Sequence, residues 1–167
     1  ACLGGEIHRL VEKGNIEEAE KSILWFKRVF SDDYYLELQR HETDKPGADT
    51  HVFEKQQRQN KVLIELARKT NTKFIATNDV HYLEEEDSVP HDILLCVNTN
   101  SFVEEKNRFK FSSSEYFFKT SAQMQERFAD VPEAIAHTLE IADKCFVPNL
   151  ERDILLPAFP VPKEFSD

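Results

Sequence analysis

Side chains that can bind a metal ion follow a short apolar run in the middle of the chain. The run, Phe-Ile-Ala at 74–76, is typical of a buried parallel strand. Asp79 and His81 come directly after it, two positions apart, and residues at that spacing in an extended chain point to the same side. Their carboxylate and imidazole can converge on one divalent metal, such as zinc or manganese. The alternative is a polar turn in which Asp79 caps the next element.

Hydrophobic periodicity predicts alternating helices and strands around this pair. Alternation of apolar and polar residues from Tyr34 predicts a strand that ends in Gln39-Arg40-His41. His91 falls in the first turn of a later helix, close in sequence to Asp79 and His81. The predicted helices are 6–13, 16–30, about 52–69, about 88–97, 120–128 and about 132–145; the predicted strands are 34–39 and 73–76, with 116–119 as a further strand or extended segment. This order predicts an α/β fold with parallel strands joined by crossovers.

The same patterns predict which side chains are buried. The predicted buried positions are Ile93, Leu94, Leu95 and Val97 in one helix, Ile135, Leu139, Ala142 and Phe146 in the last helix, and the thiols of Cys96 and Cys145. Positions on the surface or on a helix face, without a partner, are predicted for His8, His51 and His137. Positions that point toward a wet cleft are predicted for Gln56, Gln57 and Asn60.

Composition describes a globular protein of one domain and limits its partners. The 167 residues carry a formal net charge of −10, with 40% apolar and 31% charged residues. This charge opposes direct binding to a phosphate backbone, so any role with nucleic acid would act through a bound metal or within something larger. No apolar run approaches the roughly 20 residues that span a bilayer. Cys2, Cys96 and Cys145 make no disulfide framework. We expect no membrane partner and a cytoplasmic location.

Two features predict that the sequence is a fragment. It opens with ACLGGE, without an initiator methionine, which is typical of the interior of a domain. Only two strands are convincing, and two or three parallel strands do not make a self-sufficient barrel or sheet.

A series of short motifs runs through almost the whole chain. The motifs are ACLGGE (1–6), YLELQRH (35–41), ATNDVHYL (76–83), HDILLC (91–96), NRF (107–109), EIADKC (140–145) and ERDILLP (151–157). In this order and spacing they resemble the polymerase-and-histidinol-phosphatase (PHP) domain of bacterial DNA polymerase III alpha subunits. The resemblance implies the C-terminal part of a distorted seven-stranded β/α, TIM-like barrel, incomplete as given. Residues 1–147 would be the C-terminal half of the domain, and 148–167 an extended linker toward the polymerase body.

The resemblance also implies roles for individual residues. Asp79 and His81 match the family's closing Asp-x-His metal ligands, and Cys2 matches a position where relatives use a soft or imidazole ligand. For Cys2 the alternative is a buried structural thiol. The residues expected to support the ligands or to touch a phosphate are Glu37, Gln39, His41 and Asn78, unless they are simply polar groups satisfied in a loop. The intact protein is expected to hold zinc or manganese, whereas the fragment alone can be metal-free.

The function implied for the intact protein is DNA-directed DNA polymerisation in bacterial replication. Its PHP site would be a metal-dependent phosphoesterase, acting as a 3′–5′ proofreading exonuclease, or a scaffold for the polymerase and a separate proofreading subunit. The implied partners are DNA, the N-terminal half of the domain, the polymerase body and the proofreading subunit. The fragment alone is expected to have no catalytic residues and to self-associate through open strand edges. The alternatives are a stand-alone phosphatase of the PHP family and a metal-free interaction module.

Overall fold

A computed structural model of the chain describes residues 3–46, 48–149 and 151. Cys2 lies outside the described residues, as does most of the predicted linker at 148–167. The elements are α1 (Glu6–Glu12), α2 (Ile16–Phe30), a 3₁₀ turn (Ser31–Asp33), β1 (Tyr35–Gln39), α3 (His51–Lys69), β2 (Lys73–Thr77), a second 3₁₀ turn (Glu85–Asp87), α4 (Ser88–Thr99), α5 (Ser121–Arg127) and α6 (Glu133–Lys144). Helix and strand are mixed in the way that an α/β fold requires, as the periodicity predicts.

The two strands form a parallel pair joined by α3. Tyr35 pairs with Lys73 at one end of the register and Gln39 with Thr77 at the other. The segment 116–119 is no full strand, because it contributes only an isolated parallel bridge between Tyr82 and Phe117. Side chains alternate across a strand, so the pair has an apolar face and a polar face. The apolar face is formed by Leu36, Leu38, Phe74 and Ala76, which are all buried.

The core lies where this apolar face meets the helices. In α2, Ala19 and Ile23 are spaced four residues apart and are fully buried, as one face of an amphipathic helix should be. Leu63 from α3 and Phe128 after α5 are equally inaccessible. The remaining core residues are Ile7, Val11, Leu66, Ala67, Val131 and Ala134. This core packs on the apolar face of the strand pair, and the polar side chains of Glu37, Gln39 and Thr77 lie on the other face.

The N-terminal ends of both strands are tied to α6 by one carboxylate. Glu140 accepts hydrogen bonds from Lys73 Nζ at 2.6 Å and from the Tyr35 hydroxyl at 2.7 Å. Lys144 lies 3.2 Å from the same carboxylate. The hydrogen bond from Lys73, followed by that from Tyr35, lowers the pKa of Glu140 to about 2. The strand ends opposite the polar motifs are therefore held together by a single side chain.

Two predicted helix faces are wrong. In α4, Ile93, Leu94 and Val97 are 50%, 59% and 72% exposed, and the buried residue is Cys96. In α6, Leu139 is exposed and Ala134 is buried instead. The described part of the chain supplies no element that covers these apolar residues. No helix in this part is both long enough and apolar enough to cross a membrane.

Several single-residue predictions are also wrong. The thiol of Cys145 is exposed, whereas that of Cys96 is buried as predicted. His8 is buried rather than on the surface, and burial lowers its pKa to about 4. His137 has a partner, because its Nδ1 lies 2.8 Å from the carbonyl oxygen of Phe74. Gln56 and Asn60 of α3 were predicted to face a wet cleft, but they are buried, with exposures of 1% and 3%.

Candidate functional site

The Asp79–His81 pair stands at the C-terminal end of β2, where a turn leaves the strand. Asp79 has a φ of 51°, in the left-handed region that Asp tolerates better than most residues. The backbone N–H of His81 donates to the carbonyl of Tyr116 at 2.8 Å, which fixes the turn against the segment after α4. Asp79 Oδ1 then lies 3.3 Å from His81 Nε2, with the two side chains 42% and 37% exposed. The predicted convergence of the two side chains is present.

This spacing fits two ligands of one metal ion. Ligand atoms about 2.1 Å from a tetrahedral ion lie about 3.4 Å from each other. The pair is short of a complete set, because no group of three or more His, Cys, Asp or Glu side chains suited to a metal occurs among the described residues. Cys2, the third predicted ligand, lies outside them. The pair can supply one carboxylate oxygen and one imidazole nitrogen, and other ligands would have to come from elsewhere.

The polar face of β1 is joined to β2 through Glu37. Its Oε1 accepts from the Thr77 hydroxyl at 2.5 Å and from Gln39 Nε2 at 3.2 Å. Partial burial acts to raise the pKa of Glu37, but the hydrogen bond from Thr77 helps to outweigh it, and the pKa is lowered. Glu37 is therefore a carboxylate held ionised inside a hydrogen-bonded group.

His41 is locked between the two strand ends. It is 2% exposed, and its ring nitrogens lie 2.7 Å from Gln56 Nε2 and 2.8 Å from the carbonyl oxygen of Asn78. The Oε1 atom of Gln56 accepts from the His41 backbone N–H at 2.8 Å, so its amide nitrogen donates to Nδ1 and leaves Nε2–H to donate to the carbonyl. Burial lowers the pKa of His41, in agreement with this neutral tautomer. His41 is occupied by protein on both nitrogens.

Asn78 connects this buried group to the exposed pair. Its carbonyl accepts from His41, and its Nδ2 donates to the carbonyl of Phe117 at 2.7 Å. The residue directly before Asp79 is thus held from both sides. The four predicted supporting residues lie in two hydrogen-bonded groups behind the pair: Glu37 with Gln39, and His41 with Asn78. The carbonyl of Gln39 also accepts from Asn60 Nδ2 at 2.9 Å.

Aromatic rings surround His81. Its centroid lies 4.6 Å from that of Phe111, 5.8 Å from that of His91 and 6.0 Å from that of Tyr116. Tyr116 in turn stacks on His41 at 4.0 Å. Nothing in the sequence indicated a role for Phe111 or Tyr116, and Gln56 was predicted only to face a wet cleft. Only His91, close in sequence to the pair, gave a signal in advance.

Comparison with known proteins finds relatives of the same kind that match nearly the whole chain. It is 38% identical over 168 residues to DNA polymerase III subunit alpha of Borreliella burgdorferi, a match over 99% of this chain and 14% of the relative. The same subunit of Treponema pallidum is 36% identical, over 99% of the chain and 13% of the relative. The same subunit of Campylobacter jejuni is 36% identical, over 96% of the chain and 13% of the relative.

The homologues of this chain are DNA polymerase III alpha subunits. The chain spans 14% or less of the length of these three relatives. The predicted resemblance is confirmed at the level of the alpha subunit. No family model matches the chain.

Proposed function

We propose that the chain is the C-terminal half of the PHP domain of a bacterial DNA polymerase III alpha subunit, with a linker at 148–167. The intact protein would be a cytoplasmic DNA-directed DNA polymerase that acts on DNA in replication. Its barrel would be completed by the N-terminal half of the domain. In that barrel, Asp79 and His81 contribute to a site for zinc or manganese at which a phosphodiester, such as the 3′ end of a DNA strand, is hydrolysed.

The observation that carries this proposal is the 3.3 Å approach of Asp79 and His81 at a strand end. It occurs in a chain that matches alpha subunits over 99% of its length. Sites in parallel α/β folds are built at the C-terminal ends of strands. The exposure of both side chains leaves them open to an ion.

Some residues of the site would bind the ion, and others stabilise the turn that carries these ligands. A divalent metal, when bound, supplies a water of lowered pKa and neutralises charge on the phosphate. Asp79 and the neutral imidazole of His81 would hold it, with Cys2 as a further candidate. His41 and Asn78 keep the turn in place from behind, since both ring nitrogens of His41 and the carbonyl and Nδ2 of Asn78 contact protein. Glu37 and Gln39 hold the end of β1 against β2.

The test is the metal content of the full-length protein with single substitutions. After dialysis against a mild chelator, Asp79→Asn and His81→Ala should each lower bound metal measured by elemental analysis. The chain offers a matched control, because Asp49 and His51 form another exposed Asp-x-His pair at 2.7 Å. The variants Asp49→Asn and His51→Ala should bind as much metal as the unaltered protein.

Equal metal content in all four variants would contradict the proposed site and favour the metal-free scaffold. A fall in metal without any change in hydrolysis of single-stranded DNA would favour a metal site that stabilises the domain. In either of these outcomes the family relationship stands, since it rests on the sequence match and not on the pair.

The isolated segment is a separate case. We propose that it has neither polymerase nor nuclease activity, because it holds at most a few of the ligands, and that it self-associates. Exposed apolar residues on α2 and α4 support association, among them Trp25, Val29, Leu94 and Val97. Sedimentation at tens of micromolar should show dimers or larger species. A monodisperse monomer with sharp thermal unfolding would contradict this expectation.

A further inference from the structure

A cavity of about 290 Å³ lies next to the Asp79–His81 pair. Two of its lining residues, His91 and Phe111, are the same residues whose rings approach that of His81. The cavity is formed by the start of α4 on one side and the segment 108–114 on the other. Its volume is close to the lower limit for sites that bind small molecules in proteins.

One wall of the cavity is an aromatic surface. The rings of His91 and Phe111 are nearly parallel, 23° apart, with centroids separated by 5.1 Å. Both side chains are half-buried, so each keeps part of its surface open. Phe111 is supported from behind by Tyr116, whose centroid is 4.4 Å away. His91 and Phe111 thus stack on each other, and the parts of these half-buried rings that remain uncovered can contact a flat ring.

Two cationic side chains, Arg108 and Lys110, line the cavity together with the carboxylate of Asp92. The guanidinium of Arg108 is 6% exposed and donates to both carboxylate oxygens of Asp92, at 2.7 and 2.5 Å, so its position is fixed. Lys110 also lines the cavity and is exposed. Among the described residues it forms no ion pair, so its charge is available to a ligand. Because Asp92 balances the charge of Arg108, Lys110 supplies the surplus positive charge of the cavity.

We propose that this cavity binds a nucleobase of single-stranded DNA, stacked on Phe111 and His91, with Lys110 facing the adjoining phosphate. The inference rests on the proposed function, because it places the base beside a phosphodiester held at the Asp79–His81 pair. An aromatic surface accepts any base, since every base has a π-face, whereas a phosphate alone has no use for it. The cavity would thus position the DNA end without reading its sequence.

The test is photochemical crosslinking of the full-length protein to a short single-stranded oligonucleotide that carries 5-iodouracil at its 3′ end. Chelator is present throughout, so the result does not depend on metal. Mass spectrometry should locate a crosslink in the peptide that contains Phe111. The substitution Phe111→Leu keeps an apolar side chain against Tyr116 but removes the aromatic face. It should lower this crosslink by about fivefold or more, the smallest effect expected for loss of one stacked base.

Two controls separate stacking from charge. Phe118→Leu changes a 66% exposed phenylalanine that does not line the cavity, and it should leave the crosslink unchanged. An abasic oligonucleotide of equal length should compete with the crosslink at least about fivefold less well than one with bases. Lys110→Gln should weaken binding of both competitors equally and should reduce the dependence of binding on salt.

The outcomes distinguish this inference from the metal site. Crosslinks found only in other peptides, an unchanged yield in Phe111→Leu, or equal competition by the abasic strand would each overturn the nucleobase site. Equal competition together with a loss in Lys110→Gln would assign the cavity to phosphate. If Asp79→Asn and His81→Ala retain metal while the Phe111 crosslink behaves as expected, the metal proposal fails and the nucleobase site stands.

Discussion

Asp49 and His51 form the same residue pattern as Asp79 and His81 but lie at a different place in the fold. The first pair stands at the beginning of α3, and the second follows the end of β2. The imidazole-to-carboxylate distances are 2.7 Å and 3.3 Å, and both pairs are exposed. Residue type, spacing and exposure therefore do not distinguish them.

The backbone N–H of the histidine does distinguish them. That of His51 donates to Asp49 Oδ1 at 3.0 Å, so the carboxylate is used to start a helix. This hydrogen bond, followed by that from the imidazole, lowers the pKa of Asp49. The N–H of His81 donates instead to the carbonyl of Tyr116, which leaves the Asp79 carboxylate without that demand. The destination of one amide therefore separates the pair that begins a helix from the pair whose carboxylate lacks this hydrogen bond.

The largest expected effect concerns the buried group behind the second pair. Replacing Gln56 with Leu keeps the side-chain volume but leaves the His41 backbone N–H and ring nitrogen without partners. The free energy of unfolding should fall by about 2–5 kcal/mol, measured by chemical denaturation. Gln57→Leu is the matched control, since Gln57 is exposed on the same helix, and it should change stability by about 0.5 kcal/mol or less. If Gln56→Leu is equally benign, the turn at Asp79 has no such support.

His8 is a buried histidine, in contrast to the exposed His51 and His81. The pKa of His8 falls from 6.5 to about 4 on folding, so between these values the unfolded chain binds a proton that the folded chain does not. The free energy of unfolding should therefore decrease as pH falls through this window, by up to about 3 kcal/mol, and show no such dependence above it. His8→Gln should flatten the profile and His51→Gln should not. An identical slope in His8→Gln would show that His8 is not the group responsible.

The smallest effect tests the backbone at Asp79. Alanine is disfavoured at a φ of 51°, so Asp79→Ala should lower the free energy of unfolding by about 1 kcal/mol. Asparagine tolerates this conformation, so Asp79→Asn should change it by about 0.5 kcal/mol or less. Thermal unfolding of both variants measures the difference. Equal destabilisation would mean that the carboxylate itself stabilises the fold, and the pair would then resemble Asp49 and His51 more closely.

Much of the fold could be predicted because local patterns determine it. The helix at 16–30 has the predicted limits, and β1 begins one residue after its predicted start. The convergence of Asp79 and His81 was also predicted, but for an extended chain, whereas Asp79 has a φ of 51° and the His81 N–H bonds to the distant Tyr116 carbonyl. The limits of helices and strands need no information about distant parts of the chain, whereas this turn does.

The errors concern side chains whose surroundings come from elsewhere in the fold. Gln56 and Asn60 are polar residues on a helix, and nothing near them in sequence shows that a histidine and a carbonyl at the end of β1 will bury them. For Leu94 and Val97 the error is the opposite, because they were predicted to be buried and are exposed. Their apolar pattern is clear, but no element in the described part of the chain packs on them. Periodicity reports that a residue is apolar, not that a partner is present.

The tie at Glu140 has a consequence for protein engineering. It joins Tyr35 and Lys73, the first residues of the two strands, to α6 at the end of the sheet far from Asp79 and His81. Strand register is thus anchored independently of the residues that form the rim. The other end of the strand pair has its own tie, from the Thr77 hydroxyl to Glu37. Substitution of the exposed side chains of Asp79 and His81 should therefore leave the alignment of the first strand residues unchanged.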